Sequence, residues 1–269
     1  MPELPEVEVT RLGLEPRLAG RVISAVVVRE PRLRWPVTRA VMRLAGKTVR
    51  NIRRRGKYLL MDCGDGHLIL HLGMSGSLRI VAPGTPAEKH DHFDLVLGDR
   101  LLRLRDPRRF GAVLWCPGEL SAHPLLAHLG VEPLSEELDA QRLHAMTRGA
   151  RVAIKLFLMD ARRIVGVGNI YANEALFRAG INPRKRAGKL TASEAGRLVP
   201  AIKTVLRAAI KAGGSSLRDF VGADGEAGYF QSRYWVYDRE GQPCRRCRTP
   251  IRRIVQGARS TYWCPTCQS

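Results

Sequence analysis

The chain has 269 residues, enough to bury a sizeable core as one or two domains plus a small module. Lysine and arginine number 45 against 25 acids, a net charge of +20, which argues for a polyanionic partner, nucleic acid before an anionic membrane. No apolar run approaches the roughly 20 residues of a spanning helix, and the amino terminus opens with acids and prolines where a signal peptide carries a basic stretch and an apolar block. A cytosolic, reducing setting is therefore expected, and disulfides are not the expected use of the six cysteines.

The chain opens Met1-Pro2-Glu3-Leu4-Pro5-Glu6-Val7-Glu8. Trimming of Met1 exposes Pro2 as a secondary amine flanked by Glu3 and, a helical turn on, Glu6. Such an amine is a nucleophile when a neighbouring acid or base manages protons, and its carbonyl adduct is an iminium, an electron sink at any pH. Read on its own, the stretch is better explained as the first turn of an ordinary helix, with Pro5 and the acids at its positive end; the rest of the chain reverses that preference. That helix is predicted over 5–18, stopped by Gly20.

Short apolar or alternating segments follow at 22–28, 68–72, 78–81, 93–97, 101–104 and 112–115, separated by turn residues. Gly98-Asp99 makes a two-residue turn between two of them. Several short antiparallel strands predict a sandwich with the first helix on its edge. Within this region Lys57 lies between Arg53-Arg54-Arg55 and Leu59-Leu60-Met61, His90-Asp91-His92 is a weak metal-site pattern, and Asp106-Pro107-Arg108-Arg109-Phe110-Gly111 is a tight turn with guanidiniums and a ring at its tip. That tip suits a wedge inserted into a duplex, and it equally suits a solvated turn with a core Phe.

After Pro133 the pattern turns helical, with helices predicted over 135–146, 152–162 and 169–178 and a fourth from Thr191, where Glu194 completes a capping box. Pro200 is expected to bend the fourth. The glycine-bearing turn 164–169 runs into the third helix and offers backbone N–H groups to a phosphate. Last, Cys244-x2-Cys247 and Cys264-x2-Cys267, sixteen residues apart, have the spacing of a closed four-thiolate zinc site. From Gly241 onward there are six arginines and no acid, as suits a phosphate-gripping finger. Cys63 and Cys116 read as buried core thiols. The predicted fold class is α+β: an N-terminal antiparallel β-sandwich flanked by helices (2–132), a helical domain (133–230), which the family resemblance given next implies to be helix–two-turn–helix, and a four-cysteine zinc-finger β-hairpin (235–269).

The ordered set of Pro2 to Glu8, Gly56-Lys57-Tyr58-Leu59-Leu60, His71-Leu72-Gly73-Met74-Ser75-Gly76, Asp106 to Gly111, Val165 to Ala172 and the four cysteines resembles the formamidopyrimidine-DNA glycosylase family nearly end to end. The endonuclease VIII branch, which prefers oxidised pyrimidines, has a similar layout. Leu4 together with Met74 and Arg109-Phe110 favours the purine-lesion branch. The resemblance implies a monomeric, bifunctional glycosylase and AP lyase of base excision repair, acting on double-stranded DNA with oxidised purines or abasic sites and holding one structural zinc. It implies Pro2 as nucleophile toward C1′, Glu3 as proton shuttle, Lys57 in β-elimination and Arg259 in δ-elimination. DNA contacts fall at His90, Arg109, His71, Asn169 and Lys155, and at Arg151 or its neighbour Ala150. Met74, Arg109 and Phe110 match the trio that fills the hole left by a flipped nucleotide. Glu6 and Glu174 are implied to support the lesion pocket, and residues 216–229 to form the loop that closes over the extruded base. A non-catalytic DNA-binding protein is the alternative of a different class. A zinc-dependent hydrolase or deaminase is disfavoured, because all four candidate ligands are thiolates.

Overall fold

The computed structural model describes residues 2–215 and 230–269. The 216–229 loop named above lies outside them. The described residues fall into two compact units, 2–127 with 212–215, and 128–211 with 230–269. None of their helices is long and apolar enough to cross a membrane.

The first unit holds helix α1 (Leu4–Leu18) and strands β1 (Ala25–Val28), β2 (Asn51–Arg55), β3 (Tyr58–Asp62), β4 (Gly66–His71), β5 (Ser77–Val81), β6 (Asp91–Leu97), β7 (Arg100–Arg105) and β8 (Ala112–Pro117). They form two antiparallel four-stranded sheets, ordered β1-β6-β7-β5 and β2-β3-β4-β8. Val26, Phe93, Leu95 and Leu104 of one sheet share a core with Ile52, Met61, Leu70 and Val113 of the other, and α1 adds Val7, Leu14 and Leu18. The sandwich is therefore real, and α1 packs against the edge strand β2. Leu97 pairs with Arg100 around the predicted Gly98-Asp99 turn. Cys63 and Cys116 are buried.

Strands β2 and β3 are not among the segments that the sequence pattern predicts. Asn51–Arg55 carries three consecutive arginines, and only Ile52 is buried, so an edge strand with one apolar residue has no alternation to reveal it. Tertiary ion pairing holds it instead. Glu8 of α1 accepts from Arg54 Nε (2.8 Å) and Arg11 Nη2 (2.7 Å); burial raises the Glu8 pKa, and these two guanidiniums more than offset that, holding it below the usual carboxylate value.

The second unit holds α2 (Ala140–Thr147), α3 (Ile154–Leu158), α4 (Asn169–Ala179), α5 (Ala192–Lys211) and the hairpin β9 (Arg252–Gln256) and β10 (Arg259–Trp263). Two predicted helices are shorter than expected. Ser135 is used in a turn, its hydroxyl donating to Glu132 O, and the cap of α2 is Asp139, which accepts from Arg142 N at 2.6 Å. Helix α3 ends at Leu158 because Asp160 turns back to accept from Arg162 N (3.0 Å) and Arg163 Nε (3.0 Å). The termini of α4 and α5 match expectation. Gly180 caps α4 with φ +72°, while Glu194 and Thr191 exchange capping hydrogen bonds at the start of α5. Helix α5 runs unbroken across Pro200, whose carbonyl accepts the Thr204 hydroxyl.

Candidate active site

Pro2 is buried directly before α1, and Glu3 is the helix N-cap residue, so its carboxylate lies at the positive end of the helix. The Glu3 N–H donates to Glu6 Oε2 (2.8 Å), and Glu6 Oε1 accepts the N–H of Ser215 (2.8 Å). Both glutamates are buried. One carboxylate thus ties the residue beside the candidate nucleophile to the chain just ahead of residues 216–229. Gly214 serves this contact: it has φ +80°, and a Cβ there would meet Glu6 Cγ at 3.2 Å.

Lys57 sits in the two-residue turn between Arg55 and Tyr58, the last pair of the β2–β3 register, with Gly56 at φ +57°. Across the β3–β4 register Tyr58 faces His71, ring centroids 4.9 Å apart. Burial and the positive charges of Lys57 and Arg34 push the His71 pKa down to about 4, so the imidazole is neutral at neutral pH. Its Nδ1 accepts the N–H of Gly73 (3.0 Å), which leaves the proton on Nε2 as a donor to an incoming oxygen.

Met74 follows on the next turn, and Arg109 and Phe110 are exposed on the turn 106–111. His90 and Arg109 have φ of +79° and +56°. Left-handed backbone at non-glycine residues is uncommon and clusters where function demands a particular aim. The guanidinium of Arg109 pairs with Glu30 at 3.2 Å, and that of Arg108 lies 4.9 Å over the Phe110 ring.

In the second unit Arg151 is exposed ahead of α3. Asn169 opens α4 behind the N-cap Gly168, and its buried Oδ1 has no hydrogen-bond partner. Arg259 is exposed as the first residue after the hairpin tip, where Gln256 and Arg259 flank Gly257 and Ala258, at φ +54° and +58°. Two left-handed residues in a two-residue loop make the type I′ turn that suits a twisted hairpin.

Two expected site residues are buried and hydrogen-bonded within the second unit. Lys155, expected to meet a phosphate, is fully buried, and its ammonium donates to Ser260 O (2.9 Å) and Thr261 Oγ1 (2.7 Å) of β10. It anchors the finger to α3. Glu174, expected beside the lesion, is buried with its carboxylate accepting three backbone N–H groups, from Trp235 (2.9 Å), Val236 (3.0 Å) and Tyr237 (2.9 Å). Burial raises its pKa, and these three bonds act against the rise.

Sequence reasoning missed Asn173, which is buried, accepts Tyr262 N (2.8 Å) and donates to Asn169 O (2.6 Å). Its one sequence signal is the i+4 spacing from Asn169, which puts both on one face of α4.

The sulfurs of Cys244, Cys247, Cys264 and Cys267 lie within 4.8 Å of one another, the one such cluster among the described residues. Tetrahedral zinc with Zn–S near 2.3 Å places sulfurs about 3.8 Å apart, and the pairs 244/267 and 247/264 are 4.0 and 3.4 Å apart. The N–H groups of Arg246 and Cys267 point at Cys244 Sγ and Cys264 Sγ (3.4 Å each), as two knuckles require. The donor set fits one structural zinc ion, with no open coordination position.

The formamidopyrimidine-DNA glycosylase N-terminal domain model matches residues 1–113, the H2TH domain model of the same name matches 129–221, and a zinc finger found in FPG and IleRS matches 241–269. The formamidopyrimidine-DNA glycosylase of Thioalkalivibrio sulfidiphilus is 58% identical over 270 residues, covering all of both chains. Two solved structures are similar over nearly the whole length. A Lactococcus lactis FPG variant bound to Fapy-dG-containing DNA matches at TM-score 0.93 and 36% identity, covering 100% of each chain. The MutM (FPG) protein of Thermus thermophilus matches at 0.90 and 41%, covering 99% of this chain and 98% of that one. On its sequence, its fold and its thiolate cluster alike, the chain belongs to the formamidopyrimidine-DNA glycosylase family.

Proposed function

We propose that Pro2 is the nucleophile of a DNA glycosylase and AP lyase of base excision repair, acting on oxidised purines in duplex DNA. Its ring nitrogen, freed by removal of Met1, attacks C1′ of the damaged nucleotide and the base departs with its bonding electrons. Glu3 passes a proton to the ring oxygen as the sugar opens, leaving an iminium between Pro2 and C1′. The iminium acidifies the C2′ proton. Loss of that proton expels the 3′-phosphate, with Lys57 holding the phosphate and serving this step. A second elimination, served by Arg259, expels the 5′-phosphate, and hydrolysis frees the sugar fragment. No step passes through zinc, which holds the finger's shape.

The observation that carries this reading is the Pro2–Glu3–Glu6 arrangement, in which a candidate amine abuts a helix-capping carboxylate whose backbone a second buried carboxylate holds. Borohydride reduction of a reacting mixture should weld the protein to lesion-containing DNA through the leading peptide. Replacing Pro2 by glycine, or retaining Met1, should abolish that adduct; an adduct on a lysine ends the proposal.

His71, His90, Arg109, Arg151 and Asn169 are assigned to the DNA backbone, Met74, Arg109 and Phe110 to the hole left by the extruded nucleotide, and Glu6 to the lesion pocket. The proposed division is a catalytic domain over residues 2–132, a helical domain over 133–230 and a finger over 235–269, acting as a monomer, which sedimentation of the free protein tests. A second reading has one specific support: an L. lactis FPG also forms a complex with DNA containing an oxidised pyrimidine. Cleavage of duplexes with oxidised guanine against oxidised thymine separates the two, with the guanine lesion expected to be cut faster.

A further inference from the structure

The three residues assigned to the vacated base stack sit on two different turns, Met74 on one and Arg109 with Phe110 on the other. The Arg109–Phe110 tip is open, with Phe110 41% exposed, and Met74 is half-buried. The roots are closed: Asp106 is fully buried and Ser75 nearly so. Ser75 Oγ donates to Asp106 Oδ1 (2.9 Å) and the Gly111 N–H donates to Asp106 Oδ2 (2.7 Å). The Arg108 N–H is shared between Ser75 Oγ and Asp106 Oδ1 (3.3 Å each). The backbone of Asp106 extends the lock. Its carbonyl accepts from Arg109 N (3.1 Å) and His92 Nε2 (2.9 Å), and its N–H donates to His90 O (2.9 Å).

The turns also touch through glycine. A Cβ on Gly73 (φ +62°) would lie 2.4 Å from the Phe110 carbonyl carbon, and one on Gly111 would meet His71 O at 2.8 Å and Asp106 Oδ2 at 3.0 Å. Two segments 31 residues apart in sequence are thus closed on each other at backbone distance, around one carboxylate that points away from solvent.

We propose that Asp106, with Ser75, is a positioning residue that holds the Met74 turn and the Arg109–Phe110 turn as one preassembled wedge. The wedge can then enter a base stack without the protein first having to order it. A buried carboxylate whose acceptors are used on both turns costs mobility at the root and keeps side-chain freedom at the tip. This inference rests on the wedge assignment above, and its test separates the two. Two substrates are needed: a duplex with 8-oxoguanine stacked opposite cytosine, and the same strand with an abasic site in an unpaired bulge, where no base has to be displaced.

Wild-type protein should form the borohydride adduct with both; failure there indicts the nucleophile and not the wedge. Under single-turnover conditions Ser75→Ala should slow cleavage of the stacked lesion about tenfold, equivalent to about 1.4 kcal/mol. Asp106→Ala should slow it about a hundredfold. Asp106→Asn, which retains one acceptor oxygen and can donate to Ser75 Oγ, should recover to within about threefold of wild type. On the abasic bulge, at saturating protein, the single-turnover rate of all three should stay within twofold of wild type. Equal losses on both substrates by a protein with wild-type melting temperature, or no loss on either, overturn the proposal. If Asp106→Ala does not fold, Ser75→Ala decides the matter on the same two substrates.

Discussion

Replacing Lys155 by methionine sets two roles for a lysine against each other. As a phosphate ligand it would contribute one ionic contact, and its loss would reduce the slope of log affinity against log salt by about 0.9 while leaving stability alone. As the buried anchor of β10 it donates two charge-assisted bonds, to Ser260 O and Thr261 Oγ1, each worth about 1.5–3 kcal/mol. Methionine keeps the volume and removes the charge, so some of that loss is recovered because an ammonium no longer has to be desolvated. The net expectation is a destabilisation of about 3 kcal/mol, or a Tm lower by roughly 6–12 °C for a protein of this size. Urea unfolding followed by fluorescence measures the first number, and filter binding to abasic duplex at several salt concentrations measures the slope. Arg259→Ala, an exposed charge in the same hairpin, serves as the opposite control, with a shallower slope and little change in stability. A Lys155→Met protein of wild-type stability with a slope reduced by about 0.9 would refute the anchoring argument.

Other expectations follow from the same geometry. Glu174→Ala leaves one buried and two partly buried backbone donors without their carboxylate and should cost about 2–4 kcal/mol, with Glu174→Gln retaining some of that stability; equal effects of the two in urea unfolding would count against the amide clamp. The folded-state pKa of His71 lies near 4, below the unfolded value of about 6.5. The unfolded chain therefore binds the extra proton first, and stability attributable to this ring falls as pH drops from 6.5 to 4, by up to about 3 kcal/mol, and is flat above 6.5. His71→Asn should lose less stability than wild type over that interval, and parallel pH curves would exclude the effect. Stripping zinc should unfold the finger and abolish DNA binding, while borohydride trapping survives on short or tightly held substrates; loss of trapping and binding together with the finger still folded, seen by circular dichroism, contradicts a structural metal.

Much of this protein is legible in order along the chain. Four thiolates at CxxC spacing need no tertiary information to be read as a zinc site, because each knuckle is local and the metal joins the two. The acidic, proline-bearing start, the Thr191/Glu194 capping box and the Gly98-Asp99 turn are local in the same sense: the residues that cause each feature lie within four positions of one another. What the tertiary structure decided is where long side chains and buried carboxylates find their partners. The resemblance implies a DNA contact at Lys155, and no local pattern in the sequence displays its burial against a strand 105 residues away. Glu174 meets amides 61 to 63 positions on, Glu6 meets Ser215, and Asp106 meets Ser75. β2 forms from three arginines because α1 supplies a carboxylate at its edge. Composition and periodicity report local free energy, whereas a buried ion or acceptor is tolerated only where distant chain segments close around it.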